Sequence, residues 1–363
     1  MPRLFGRDYT RDEFLQHVGQ ASQAAGVREY RIQGGPADGI HAADVYTGSG
    51  LRFTVLPGRG MDISHASYNG VPICWISPAG EVSPWSYEPE GLGWLRTFAG
   101  GLLTTCGLTH IHFPEDVGDK SYGLHGRAST LVASNVSAGA EWDGDEYRLS
   151  VSGRTIESAL FDEQMELQRT ISTELGSASL RIEDVVTNIG FRETPHVMLY
   201  HINMGFPVLG PDAELVVPSL HAAPGDINPP DDEEGPYKFP APRADYPNTV
   251  FDHQPLTDEN GMAHVGLINE GLGSGPLGVR ISYRAAELPH LNQWKMLGLG
   301  EYVLGLEPAS TAFGTREEMR ESGGMKFLAP GESVRYLVDV GVLDGEPEIS
   351  EFKDLVKAVR DAG

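Results

Sequence analysis

Two side chains in this chain suit proton transfer, and each sits where an ionisable group is out of place. His201 lies in Met198 to Phe206 (MLYHINMGF), and Glu307 lies in Tyr302 to Pro308 (YVLGLEP). Charged groups are seldom buried without a partner or a chemical task. An imidazole and a carboxylate facing one cavity can move protons in opposite directions at neutral pH. That suits a reaction in which one oxygen loses a proton while another gains one. In strand alternation His201 shares a face with Leu199 and Asn203, while Tyr200, Ile202 and Met204 face a core. Glu307 shares its face with Gly305 and Val303 and precedes Pro308, a strand-end position that suits a cleft. Taken singly, a hydrogen-bonded structural histidine and a salt-bridged glutamate explain these positions as well.

Other groups suit ligand contact. His125 stands between glycines in Gly123-Leu124-His125-Gly126-Arg127, where near-bare backbone permits close approach; a solvated turn histidine is the alternative. Arg96 is a lone cation in the apolar, Gly-rich run Trp94 to Leu102, and a partly buried arginine wants a carboxylate or a ligand oxygen fork. Arg59 in Pro57-Gly58-Arg59-Gly60 is similar, though a hairpin turn with a solvated arginine serves equally. Trp294, in Leu288 to Lys295 (LPHLNQWK), suits stacking on a sugar face or a place in the core. His110-Ile111-His112 followed by Glu115 has the look of a metal cluster. The glutamate comes early for the cupin pattern, however, and no second half with a Pro-Gly-His run follows. No nucleophile elbow, P-loop or dinucleotide fingerprint is present.

These residues must be held by strands. The chain has 363 residues, 40% of them hydrophobic, with 45 glycines and 25 prolines spaced as turn punctuation. Strands are expected at Ala43 to Thr47, Leu51 to Leu56, Met61 to Tyr68 and Val71 to Ile76, with Asn69-Gly70 as a hairpin turn. The pattern continues at Glu146 to Gly153, Glu166 to Ser172, Ser179 to Asn188, His196 to Met204, Val279 to Arg284, Tyr302 to Glu307 and Val334 to Val342. No βαβ alternation appears, so a large antiparallel β-sandwich is expected. Helices are expected at each end. Thr10 and Glu13 form a capping box ahead of a stripe of Phe14, Leu15, Val18, Ala21 and Ala25, with Gly26 as the stop. Ser350 is expected to cap a helix that buries Phe352, Leu355, Val356 and Val359. The polar, acidic stretch 211–247 reads as a surface excursion or a lid.

A net charge of −24, from 27 basic and 51 acidic residues, repels nucleic acid and anionic membrane. No apolar run of membrane-spanning length and no signal-like N-terminus is seen, so a cytoplasmic location is expected. The two cysteines, Cys74 and Cys106, read as buried free thiols. Free sheet edges leave room for a homodimer.

His125, His201 and Glu307, in this order on a β-rich chain, resemble the aldose 1-epimerase (galactose mutarotase-like) superfamily, and more narrowly its DUF4432 branch. The segments that carry the likeness are Trp94 to Leu108 (WLRTFAGGLLTTCGL), Tyr122 to Ser129 (YGLHGRAS), Leu199 to Phe206 (LYHINMGF) and Leu288 to Ser310 (LPHLNQWKMLGLGEYVLGLEPAS). The resemblance implies a β-supersandwich at residues 30–345, preceded by a helical extension (1–29) and followed by a helix (346–363). It implies a small-molecule sugar substrate and interconversion of its anomers by ring opening, with Glu307 as general base and His201 as general acid. Arg96 and His125 match the family's sugar-binding arginine and histidine. Asp252, with His253 as its rival, is the candidate for the family's hydroxyl-holding aspartate. That chemistry requires no metal and no organic cofactor. The sequence departs from the mutarotases beside the histidine, where Tyr200 replaces an asparagine and Asn203 follows. Two other functions are therefore kept: a different epimerase, isomerase or lyase on a modified or acidic sugar, with or without a metal, and a non-catalytic carbohydrate-binding protein.

Overall fold

The computed structural model describes residues 2–229 and 234–363. Three antiparallel sheets carry the architecture, as the strand punctuation implies. The N-terminal sheet has five strands in chain order, from Gly26–Arg31 to Val71–Pro72. Its last hairpin turns at Asn69 and Gly70, both at positive φ, as a type I′ turn demands. An eight-stranded sheet is built on the meander Ser134–Asp143, Glu146–Ser158, Gln164–Glu174 and Ser179–Asn188, continued by Ser333–Asp344 and Leu277–Arg284.

The third sheet bears the candidate residues. Its order is Ser219–Pro224, Thr249–Pro255, His290–Gly298, Glu301–Ala309, Thr194–Gly205 and Lys326–Leu328, with Thr104–Leu108 also paired to Thr194–Gly205. The strand of His201 is thus central, and its alternation divides two cores. Met198, Tyr200, Ile202 and Met204 enter the main core between the sheets. Val197 and Leu199 face a second cluster with Trp94, Phe98, Cys106 and Ile111. Both cysteines are free and buried.

The ends depart from expectation. Thr10 and Glu13 do form a capping box, but the helix covers only Arg11–Leu15, and a separate 3₁₀ turn takes Ala21–Gln23. Gly19 lies in the gap, and a helix this short has little to offset its nucleation cost. The C-terminal helix is Glu346–Ala362, capped at Gly345 rather than Ser350, with Pro347 in the first turn where no amide donor is needed. Ile349, Phe352 and Val356 seat it on Val216, Ile268 and Leu343. The stretch 211–247 contributes edge strands to two sheets, Ala213–Val216 and Ser219–Pro224, so it crosses between layers. Of the acidic segment 226–234, residues 230–233 lie outside the described residues. No helix among the described residues is long and apolar enough to cross a membrane.

Candidate active site

Strand register brings the two proton-transfer groups together. The pairing of Leu199 with Ala309, Ile202 with Leu306 and Asn203 with Gly305 sets His201 directly across from Glu307. Nε2 of His201 lies 3.2 Å from Oε1 of Glu307. The contact lacks hydrogen-bond alignment, and neither Oε1 of Glu307 nor Nδ1 of His201 has a partner among the described residues. Both side chains are buried. Polar atoms so buried and unmatched are uncommon in folded proteins and mark a place where a ligand can supply the missing bonds. Gly305, two residues before Glu307 on the same face, leaves room for the carboxylate; a Cβ there would collide with Oε1.

Burial sets the protonation of the pair. It pushes the His201 imidazole down to about 3, with Asn203 opposing weakly, and pushes the Glu307 carboxyl well above its usual range. Both shifts favour uncharged forms, an acid at Glu307 and a base at His201.

The pair lies at one wall of a cavity of about 290 Å³. Trp94 and Phe98 stack at 4.4 Å, and the rings of Phe98 and Trp294 come within 5.1 and 5.4 Å of the His201 ring. Leu124, Val250 and Phe313 extend the apolar lining, with Leu92 and Leu95 partly exposed. Asn248 also lines it, its Oδ1 accepting from Nε1 of Trp294 at 2.6 Å.

Two further histidines line the cavity. The backbone N–H of His112 donates to Nδ1 of His125 at 3.3 Å, which leaves the proton of His125 on Nε2. The His125 ring stands 5.6 Å from that of His201, and burial holds it well below its ordinary pKa. Nε2 of His112 is bonded with Nδ2 of Asn292 at 2.9 Å, and its Nδ1 lies 3.3 Å from the carbonyl and 3.4 Å from the amide nitrogen of Gly314. Both of its ring nitrogens are therefore engaged.

Beneath the His201 strand, the hydroxyl of Tyr200 donates to Oδ2 of Asp184 at 2.6 Å. Arg169 clamps the same carboxylate at 2.8 and 2.6 Å and donates to Oγ1 of Thr105 at 2.6 Å. Thr105 donates in turn to Asp62 through its amide and its hydroxyl. Tyr200 thus anchors the strand from the core side and does not reach the cavity.

The expected site residues divide. His125, His201, Trp294 and Glu307 line one cavity. Arg96 does not: it ends the 3₁₀ turn Gly93–Arg96, points into solvent and pairs with Glu88 at 3.2 Å. Arg59 is neither solvated nor in the cavity; it is buried, and Nη2 donates to the Thr97 carbonyl. Asn203 lies beside His201 but outside the lining, donating Nδ2 to the carbonyls of Gly101 and His201. Asp252 holds Nδ1 of His290 at 3.1 Å, and His253, on the other strand face, bonds Gln293 at 2.8 Å. Neither lines the cavity. The apparent metal cluster is dispersed. His110 bonds the Phe113 carbonyl, Glu115 accepts the Arg316 amide, and His112 turns to Asn292. Among the described residues no group of three His, Cys, Asp or Glu side chains is placed to hold a metal ion. Local sequence marks His112 only as a metal candidate and carries no sign of Asn248, Asn292 or Phe313. The one local signal was the second histidine of the His-x-His pair.

The family model for DUF4432, a domain of unknown function, matches residues 37–342. The chain belongs to this family. Its fold is similar to that of a Klebsiella pneumoniae protein named "putative aldose 1-epimerase". The two share 25% identity over 92% of this chain and 87% of that one, with a TM-score of 0.84. A galactose mutarotase-like protein from Clostridium acetobutylicum has 17% identity over 89% and 99% of the two chains, with a TM-score of 0.59. A galactose 1-epimerase from Lactobacillus acidophilus has 13% identity over 88% and 99%, with a TM-score of 0.51. These last two share the fold. No curated protein matches the chain.

Proposed function

We propose that this protein interconverts the anomers of a small sugar, as an aldose 1-epimerase does. The observation that carries this reading is the unpartnered His201–Glu307 pair, 3.2 Å apart at the wall of a cavity of about 290 Å³. The volume is at the small end of ligand pockets, which run from about 300 to 1,000 Å³. The aromatic lining suits the C–H face of a sugar ring. The names of similar structures point the same way.

An anomeric carbon carries two oxygens, the hydroxyl and the ring oxygen. Opening the ring removes a proton from the first and delivers one to the second. Groups in contact across neighbouring strands can reach two oxygens on one carbon. The family resemblance makes Glu307 the base and His201 the acid. Burial of both groups favours the reverse resting state, with His201 taking the hydroxyl proton and Glu307 protonating the ring oxygen. Either way the pair holds one proton before and after, and no net charge enters a dry site. The aldehyde then turns about C1–C2, and closure on its other face reverses both transfers. Nε2–H of His125 donates to a sugar oxygen beside the pair.

The test is a screen of anomer exchange by NMR across pentoses, hexoses, deoxy sugars and uronates. At least one sugar is expected to exchange well above its spontaneous rate. If none does, this function is wrong.

A further inference from the structure

Among the described residues, the cavity offers few partners to a sugar's hydroxyl groups. His201 and Glu307 serve the two oxygens of the anomeric centre. Beyond them, Nε2–H of His125 and Nδ2 of Asn248 are the side-chain polar groups of the lining that no other described residue engages. His112 lines the wall with both ring nitrogens already bonded. The rest of the lining is apolar or aromatic, including Leu124, Val250 and Phe313. Among the described residues no lysine or arginine lines it, and Arg96 is turned outward to Glu88. A fully hydroxylated hexose carries more oxygens than these groups can meet. Each hydroxyl buried without a partner lowers affinity by about tenfold or more. A carboxylate or sulfonate would enter with no counter-charge.

We propose that the cavity selects neutral, hydroxyl-poor sugars, that is, deoxy sugars, over their fully hydroxylated and acidic counterparts. This rests on the anomer-exchange reading for its chemistry, but binding alone also tests it. kcat/KM for anomer exchange is compared within matched pairs: 2-deoxy-D-ribose against D-ribose, L-fucose against L-galactose, and 2-deoxy-D-glucose against D-glucose, with D-glucuronate as the acidic member. In the pair turned over fastest, the deoxy member is expected to exceed its counterpart by about tenfold or more. D-glucuronate is expected to show no exchange above background. A hydroxylated member that equals or exceeds its deoxy partner in that pair, or a glucuronate turned over as well as glucose, overturns the proposal. The same pairs are measured by calorimetry as methyl glycosides, which cannot open. If no free sugar exchanges yet the deoxy glycosides bind more tightly, the catalytic reading fails and the selectivity stands. If no glycoside binds, or the hydroxylated ones bind better, the selectivity fails.

Discussion

His201 and Glu307 stand directly across from one another on adjacent antiparallel strands, with 3.2 Å between Nε2 and Oε1. A salt bridge built for stability in a buried setting would be aligned and fully hydrogen-bonded. Here Oε1 of Glu307 and Nδ1 of His201 lack partners among the described residues, and burial disfavours both charges. The pair is better suited to exchanging a proton with a ligand than to holding two strands together.

Glu307→Gln and His201→Asn are each expected to lower kcat for anomer exchange by about 100- to 10,000-fold. Because the pair shares one proton, the double variant should be little worse than the weaker single variant. Independent, multiplicative losses in the NMR exchange rate would show that the two groups do not act as a unit.

Gly305→Ala should displace the Glu307 carboxylate, because the added Cβ meets Oε1. The expected result is a fall in kcat of about tenfold or more, since a misplacement of about 1 Å can cost 100-fold. The far-UV circular dichroism should stay unchanged. Wild-type turnover in this variant would mean the carboxylate position is unimportant.

Tyr200→Phe removes the hydroxyl that donates to Asp184 from the core side of the strand. Urea unfolding should show a loss of about 1–3 kcal/mol, as for a buried carboxylate deprived of one donor. Exchange kinetics should change by less than about threefold, because Tyr200 does not reach the cavity. Arg96→Ala should likewise leave exchange within about twofold, its guanidinium being exposed and paired with Glu88. A large loss of activity in either variant would place that residue at the sugar.

Stability should fall in mild acid. Burial lowers His110 and His196 to about 4, His112 and His201 to about 3, and His125 well below its ordinary value. Between those values and about 6.5 the unfolded chain binds more protons at these positions, so stability declines as pH falls. Asp62, raised to about 6, and Glu157 and Glu307, also raised, act with the opposite sign, their contributions declining as pH rises. His253 is lowered as well, and six histidines outnumber three carboxyls, so stability declines on balance from about pH 6 to about pH 5. Urea midpoints at pH 5.0, 6.0 and 7.0 measure this, and a midpoint that rises toward pH 5.0 would contradict it. His201 takes up a second proton only near pH 3 and Glu307 is held protonated by burial, so kcat should show no acid loss from pH 6.5 down to pH 5.5 in folded protein.

Alternation along single strands made much of the site legible. His201 on the face opposite Tyr200, and Glu307 on the face of Gly305, follow from period-two reading, and so do the sandwich class and most strand spans. Their contact does not, because it depends on register between strands about a hundred residues apart. Arg96 lies outside the cavity because the 3₁₀ turn Gly93–Arg96 turns it toward solvent, a direction that its apolar, Gly-rich run does not reveal. His112 has metal-pair spacing with His110, but its backbone at φ 64 and its bond to the distant Asn292 turn it elsewhere. The Tyr200–Asp184–Arg169 clamp joins separate strands and has no local signature.

The most direct measurement is magnetisation exchange between α and β anomers, recorded with wild-type protein and with Glu307→Gln at equal concentration. Wild type should accelerate exchange of at least one sugar, with deoxy sugars foremost, and Glu307→Gln should fall to near the spontaneous rate while still binding that sugar. Exchange at the wild-type rate in Glu307→Gln, or no acceleration of any sugar by wild type, would contradict the role assigned to the pair.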